Sequence, residues 1–180
     1  MNSTNERMVW QGIHFKAFQE EVEVEKGIIK TFEYVYRKDG TRTIAINDDK
    51  EILLTKEYRY ELEADDWRIP GGRLNDENEP RVEAAKREFR EETGFVAENW
   101  EFLWTTTLES TVRYQRHFFL ATNLVLDKHL RDEGERITVH WIPFLEAYEM
   151  AMKGEIREEI SALAIARLHF EINEGFRILE

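Results

Sequence analysis

Three glutamates near the middle of the chain have the spacing and the chemistry of a metal-binding group. Glu88, Glu91 and Glu92 stand at i, i+3 and i+4, positions that share one face of a helix. Like charges at this spacing destabilise an isolated helix by about 0.2–0.5 kcal/mol per pair. A hard divalent cation such as Mg²⁺ or Mn²⁺ prefers carboxylate and carbonyl oxygens. The glutamates therefore indicate a metal site on a helix, with a solvated acidic face as the alternative.

The residues around the glutamates favour the metal site because they set where the helix begins and ends. Gly71 and Gly72 allow a tight turn whose backbone carbonyls can face a ligand. Pro80 suits the first helical turn, and Gly94 suits a left-handed C-terminal cap. We therefore predict a helix over residues 80–93, entered from a glycine turn.

The segment from Gly72 to Phe95 resembles the Nudix box, whose pattern is Gly, five residues, Glu, seven residues, then Arg-Glu-apolar-x-Glu-Glu-x-Gly-apolar. Glu79, the seven residues after it and the run from Arg87 to Phe95 match, whereas six residues separate Gly72 from Glu79. An extra loop residue costs little, but one inside the helix would rotate the carboxylates off their common face. The resemblance therefore implies a Nudix hydrolase.

The resemblance also implies a role for each matching residue. Glu88, Glu91 and Glu92 would be both catalytic residues and ligands of Mg²⁺, for which Mn²⁺ is a possible substitute. Glu91 has the alternative task of orienting water, and the Gly72 carbonyl would complete the metal shell. The residues expected to support the motif structurally are Glu79, Arg87 and Gly94, with Arg87 paired to Glu79 or, locally, to Glu83.

Flanking segments extend the resemblance to the ADP-ribose and nucleoside diphosphate sugar pyrophosphatase branch of this family. These segments are residues 53–59, 67–72, 132–143, 146–147 and 152–156. The branch implies hydrolysis of a pyrophosphate to a nucleoside monophosphate and a sugar phosphate. Two departures keep other nucleoside diphosphate sugars as open as ADP-ribose: Arg68 stands where the subgroup usually has Glu, and the Pro expected after the box is absent.

Arginines and a loop glutamate supply the remaining site candidates. Arg59 matches the phosphate-contacting arginine of the branch, with a surface ion pair as the alternative, and Arg68 is a second substrate-binding candidate. The guanidinium fork suits phosphate oxygens. In the branch, an acidic loop residue acts as general base or extra ligand. Glu135 is the candidate here, with Glu133 in reserve and Glu109 as a weaker rival.

Composition and charge indicate a globular chain of 180 residues, 42% hydrophobic and 12% aromatic. The formal net charge of -12 argues against nucleic acid as a partner. Because an acidic chain repels an anionic substrate, binding of such a substrate requires metal ions and arginines that make the electrostatic potential at the site positive. The chain has no Cys, which fits a reducing cytoplasm. No apolar run approaches the ~18 residues of a membrane span, so we expect a cytoplasmic protein with no membrane partner.

Strand patterns fill the first third of the chain and mix with helical patterns afterwards. We predict strands within residues 8–46 and over 51–60, 100–108, 116–125 and 136–142, and helices over 80–93, 144–153 and 158–170. This order gives an α+β architecture, and the resemblance implies a Nudix-type α/β/α sandwich with a mixed β-sheet. Residues 1–46 would form a small N-terminal β region that mediates a homodimer, and residues 47–180 the hydrolase domain.

Three function classes follow. The first is a metal-dependent pyrophosphatase of nucleoside diphosphate sugars, and the second is a Nudix hydrolase of nucleoside triphosphates or dinucleoside polyphosphates. The box residues cannot distinguish these two classes, because they bind only the pyrophosphate, which the substrates of both classes contain. The third, a non-catalytic nucleotide-binding protein, is disfavoured because all three box glutamates are present.

The five histidines have no metal-ligand spacing, and we interpret them as structural. The N-terminal aromatic residues could include one that stacks on the base of a nucleotide, and the candidates are Trp10, Phe15, Phe32, Tyr34 and Tyr36.

Overall fold

A computed structural model of the chain describes residues 3–127 and 137–177. Within these ranges the chain forms nine strands and three helices. The strands are β1 (Ser3–Gln11), β2 (Phe15–Glu25), β3 (Ile28–Arg37), β4 (Gly40–Ala45), β5 (Glu51–Arg59), β6 (Ala64–Arg68), β7 (Phe95–Leu108), β8 (Val112–Leu126) and β9 (Ile137–Pro143), and the helices are α1 (Arg81–Thr93), α2 (Phe144–Met152) and α3 (Glu159–Asn173).

The strands build two sheets, one mixed and one antiparallel. The larger sheet has the order β1-β2-β3-β8-β4, with β7 paired to β8. Strand β8 is parallel to β3 and β4 but antiparallel to β7. The smaller sheet has the order β6-β5-β9 and is antiparallel throughout. This arrangement confirms the predicted mixed sheet.

Strand β5 shows why helices cover both sides of the sandwich. Its Leu53 packs in a cluster with Phe89 of α1. The neighbouring Ile52 and Leu54 point the other way, into the larger core that contains Leu168 of α3. Both faces of the strand are therefore buried against helices, and the predicted α/β/α sandwich is confirmed.

The N-terminal strands β1 to β3 form an antiparallel extension joined to the rest of the sheet at two residue pairs of β3 and β8. Several of its apolar side chains are exposed, including Trp10 (57%), Ile13 (94%) and Ile29 (62%). Strand β4, in contrast, pairs with β8 along its length. The N-terminal strands are confirmed, while the boundary at residue 46 and the role in a dimer stay predictions.

Strand β6 was absent from the prediction because its sequence contains two aspartates, a residue type that strands disfavour. The structure accommodates Asp66 by burying it and pairing it. Its Oδ1 accepts hydrogen bonds from the backbone N–H of Trp67 at 3.0 Å and of Arg157 at 3.2 Å. Tertiary contacts therefore override local propensity here.

No helix of the described ranges is long and apolar enough to cross a membrane.

Candidate active site

A glycine segment after β6 lies along the edge of β4 and forms one wall of the site. The N–H of Thr43 donates to the carbonyl of Pro70, and that of Thr41 to the carbonyl of Gly72, both at 2.8 Å. Gly71 has φ 140, and a Cβ there would lie 2.3 Å from the Thr41 carbonyl oxygen. Glycine at this position therefore lets the loop approach β4 in a backbone conformation that L side chains rarely adopt.

Helix α1 brings two of the three predicted glutamates against this glycine segment. Glu92 Oε2 accepts a hydrogen bond from the Gly71 N–H at 2.8 Å. The Glu88 carboxylate lies against Gly72, so closely that a Cβ on Gly72 would be 2.3 Å from Oε2. Burial raises the pKa of Glu88 above its ordinary value. Glu91 is exposed, and Arg87 Nη1 lies 3.2 Å from its Oε2 and 2.8 Å from Glu88 Oε1.

This donor set fits a hard divalent cation, because it offers carboxylate oxygens beside backbone carbonyls. The buried charge of Glu88 would gain from a cation. The Gly72 carbonyl accepts one hydrogen bond from β4 and retains a second lone pair. Across residues 3–127 and 137–177, no three acidic or histidine side chains already converge as one metal-binding group. Carbonyl oxygens and water would therefore have to complete the coordination of a bound ion.

Arg87 ties the box loop to the helix. Its Nε lies 3.1 Å from Glu79 Oε1, and its Nη1 lies 2.8 Å from Glu88 Oε1. Its Nη2 also donates to the backbone carbonyl of Arg73 at 3.1 Å. Of the two partners considered from the sequence, the distant Glu79 is the one engaged, whereas Glu83 pairs with a lysine of the same helix. Helix α1 ends at Gly94, which has the expected left-handed φ of 74.

A cleft of about 360 Å³ opens beside the glycine segment. Its charged lining contains six arginines and three glutamates, so it is positive although the whole chain carries -12. The charged residues are Arg37, Arg42, Arg59, Arg68, Arg73, Arg116, Glu57, Glu92 and Glu158. The structure thus brings the predicted Arg59, Arg68, Gly72 and Glu92 to one cleft.

Glu158 organises one side of this cleft. Its Oε1 lies 2.7 Å from Arg42 Nη2 and 3.4 Å from Arg68 Nη1, and it also accepts the Ser161 hydroxyl. Burial opposes the charge of Glu158, but these partners outweigh it and lower the pKa to about 2. Arg42 also donates to the carbonyl of Gly71. The network therefore fixes two arginines beside the box loop.

Arg37 and Arg116 form the other positive side of the cleft. Their guanidinium carbons lie 4.7 and 5.1 Å from the centre of the Tyr114 ring. Arg116 is only 7% exposed, and burial together with the charge of Arg42 lowers its pKa to about 10. Burial lowers the pKa of Arg37 as well. Within the described part of the chain, neither has a carboxylate at ion-pair distance.

Arg59 reconciles the two alternatives considered from the sequence, because it lines the cleft and also makes ion pairs. It lies 3.1 Å from Glu57 and 2.9 Å from Glu61. Arg68 likewise lines the cleft while it contacts Glu158 and, at 3.6 Å, Asp66.

The other sequence candidates do not line the cleft in the described part of the chain. Glu133 and Glu135, the candidates for a general base, fall outside the described residues. Glu109 is exposed in the turn between β7 and β8. Among the residues that line the cleft in the described ranges, none is an N-terminal aromatic. His117 is buried and contacts the Thr105 hydroxyl at 2.9 Å, away from the cleft lining.

Sequence reasoning missed four of the cleft arginines and Glu158. One signal was available: Arg42 lies in the predicted strand region 8–46, next to the apolar Ile44, and Arg116 begins the predicted apolar strand over 116–125. A buried guanidinium requires compensation, so each position suggested a polar site. The sequence did not indicate which distant groups would meet.

Comparison with known proteins agrees with this geometry. The NUDIX domain model matches residues 36–164. An ADP-ribose pyrophosphatase of Mycobacterium tuberculosis is 28% identical over 170 residues, covering 92% of this chain and 81% of the relative. One of Bacillus subtilis is 27% identical over 168 residues, covering 91% and 89%. The crystal structure of an ADP compounds hydrolase has a TM-score of 0.82 at 21% identity, covering 98% of this chain and 96% of that one.

The chain therefore belongs to the NUDIX family. It is a pyrophosphohydrolase, as the domain match and these relatives indicate together. Hydrolases of this family generally use divalent metal ions and act on small nucleotide substrates, and the carboxylate helix and the positive cleft are consistent with both properties.

Proposed function

We propose that this protein hydrolyses the pyrophosphate of nucleoside diphosphate sugars, with ADP-ribose as the first candidate, and releases a nucleoside monophosphate and a sugar phosphate. The observation that carries the proposal is that the arginine cleft and the carboxylate helix share one wall, the Gly71–Gly72 segment. A diphosphate in the cleft would thus lie beside the carboxylates. The names of two relatives, both ADP-ribose pyrophosphatases, favour this substrate class.

Within this proposal, Mg²⁺ is the cofactor, with Mn²⁺ as a substitute, and its ligands are Glu88, Glu91, Glu92 and the Gly72 carbonyl. A divalent ion bound there would neutralise phosphate charge and lower the pKa of a coordinated water. Arg59 and Arg68 contact phosphate oxygens, a task for which the planar guanidinium fork is suited.

The proton acceptor in this proposal is Glu135, because the family branch carries an acidic residue in the corresponding loop. A carboxylate there would take a proton from the attacking water as the water oxygen bonds to phosphorus. The leaving phosphate departs as the second product, so each product carries one of the two phosphates. Replacing Glu135 with Gln should lower kcat without a matching change in KM.

We further propose a homodimer formed through residues 8–46. Exposed apolar side chains on the N-terminal strands, among them Trp10 and Ile29, support this, since an apolar surface of this kind commonly marks an interface. The cytoplasmic location expected from the sequence stays a prediction.

The test is a turnover assay with Mg²⁺ across ADP-ribose, other nucleoside diphosphate sugars, nucleoside triphosphates and a dinucleoside polyphosphate, with products separated by chromatography. Glu92→Gln removes a proposed metal ligand, and Glu83→Gln is the matched control, since it removes an exposed carboxylate from the same helix. We expect sugar turnover that Glu92→Gln abolishes and Glu83→Gln retains. Turnover of triphosphates or dinucleotides alone would contradict the substrate class, and an active Glu92→Gln would contradict the metal site.

A further inference from the structure

Five of the six cleft arginines, all but the exposed Arg73, fall into two groups according to how their charge is balanced. Arg42 and Arg68 share Glu158 at 2.7 and 3.4 Å. Arg59 has a carboxylate of its own, Glu57, at 3.1 Å. The charges of these three arginines are already opposed by nearby carboxylates, so an incoming anion must compete with existing ion pairs.

Arg37 and Arg116 belong to the other group. In the ranges that the structure describes, neither guanidinium has a carboxylate partner within 4.0 Å. Arg37 Nε and Arg116 Nη1 are buried without a hydrogen-bond partner there. Both guanidinium groups approach the same Tyr114 ring. Two positive charges held together without a carboxylate at ion-pair distance are unfavourable, and an anion in the cleft would relieve their repulsion.

Strand pairing places Arg116 beside the box loop. In the β4–β8 ladder Arg116 is in register with Gly40, and residues in register on neighbouring strands project from the same face. Gly40 has no side chain, and a Cβ there would lie 2.6 Å from the Gly72 carbonyl oxygen. Arg116 therefore lies next to Gly40, and Gly40 packs on the glycine segment at Gly72.

We propose that Arg37 and Arg116 form an anion subsite that binds phosphoryl oxygens of the substrate and determines its specificity for phosphate chains. The proposal rests on the proposed function only in taking the ligand to be a phosphate chain. The substrate would supply negative charge at ion-pair distance, which no carboxylate of residues 3–127 and 137–177 supplies to these two arginines. Arg59, one of the two arginines that the sequence singled out, then has a smaller share in phosphate binding because its charge is already engaged.

Binding of inorganic pyrophosphate, measured by titration calorimetry with EDTA present, tests the subsite without metal and without turnover. Arg116→Met keeps most of the side-chain length but removes the charge, and Arg116→Lys keeps the charge. Arg113→Met is the matched control, because Arg113 lies on the same strand and over another tyrosine ring, at 3.4 Å, but does not line the cleft. We expect Arg116→Met to bind about 10- to 100-fold more weakly, as for loss of a charged hydrogen-bonding group, Arg116→Lys to recover part of the affinity, and Arg113→Met to bind like the wild type.

Thermal unfolding separates a binding role from a structural one. Without ligand, Arg116→Met should unfold at or above the wild-type temperature, because it breaks no ion pair among the described residues and removes the repulsion between the two guanidinium groups, while the rise in Tm that pyrophosphate causes should be lost. A lower Tm of the unliganded variant with an unchanged ligand-induced rise would overturn the proposal. Pyrophosphate affinity equal to that of the wild type would overturn it as well.

Steady-state kinetics with Mg²⁺ then identifies which phosphate the subsite binds. A raised KM for both diphosphate sugars and triphosphates indicates the phosphates of the cleaved bond, and a raised KM for triphosphates alone indicates an additional phosphate. Either result supports the subsite, whereas an unchanged KM for both classes contradicts it. If the wild type cleaves no diphosphate sugar, the proposed function fails, but pyrophosphate binding still decides on the subsite.

Discussion

Replacing Glu158 with Gln should destabilise the protein at neutral pH by an amount that its pKa sets. Glu158 is buried, which alone would raise the pKa, but Arg42 at 2.7 Å and the Ser161 hydroxyl lower it from 4.5 to about 2. At about 1.36 kcal/mol for each pH unit, this difference corresponds to about 3 kcal/mol of unfolding free energy. The side chain is 13% exposed, so solvent screens this interaction only weakly.

The same pKa fixes the pH range in which the effect appears. A carboxylate whose pKa is lowered in the folded state stabilises the protein above its unfolded-state pKa, and this contribution is lost as the pH falls through the folded-state pKa. For Glu158 the stabilisation is complete above 4.5 and declines toward about 2. The wild type and Glu158→Gln should therefore differ by about 3 kcal/mol near neutral pH and converge in acid.

Urea unfolding of both proteins at a series of pH values measures this difference. Glu149→Gln is the control, since it removes a carboxylate that also pairs with a cation at 2.8 Å, Lys153, but in an exposed position. The control should unfold like the wild type. The reasoning fails if Glu158→Gln is as stable as the wild type at neutral pH. It also fails if the difference between them is the same at every pH, because the loss would then arise from packing and not from charge.

Three further outcomes follow from the packing and the surface. Gly72→Ala should fold normally but lose most turnover, because the added Cβ would displace the Glu88 carboxylate. Gly71→Ala should instead lower Tm, because the added Cβ would collide with backbone atoms at a residue with positive φ. Equal Tm values for the two variants would contradict this. Phe89→Ala should cost about 3–5 kcal/mol in urea unfolding, since Phe89 is 0% exposed, and a loss below about 1 kcal/mol would show that the core does not depend on it. Light scattering should give a dimer mass, and a monomer at micromolar concentration would refute the interface at residues 8–46.

The carboxylate helix was predictable because all of its determinants are local. The i, i+3, i+4 spacing sets one face, and Gly94 ends the helix through a backbone conformation that glycine adopts at little cost. The glycine turn before the helix was predictable for the same reason. Even the Arg87–Glu79 contact at 3.1 Å joins residues only eight positions apart. The part of the site encoded within the box could therefore be predicted from its own sequence.

The cleft could not be predicted because its charges come from distant parts of the chain. The contact between Arg42 and Glu158 joins residues 116 positions apart, and Arg116 reaches the cleft through the parallel pairing of β8 with β4. Neither residue type nor periodicity specifies such pairing. Strand β6 was missed for a related reason, since the buried Asp66 is stabilised by the backbone N–H of Arg157.

The contrast between an acidic chain and a positive cleft bears on which anions can bind. The chain carries -12 overall, and its six cleft arginines and three cleft glutamates leave the remaining surface more negative still. Such a surface repels extended polyanions such as nucleic acids, whereas a cleft whose lining carries a net positive charge attracts a small anion. A compact phosphate chain satisfies both conditions. Neutralising a cleft arginine should therefore weaken phosphate binding far more than neutralising an arginine on the outer surface, because only the cleft charge acts where solvent screening is small.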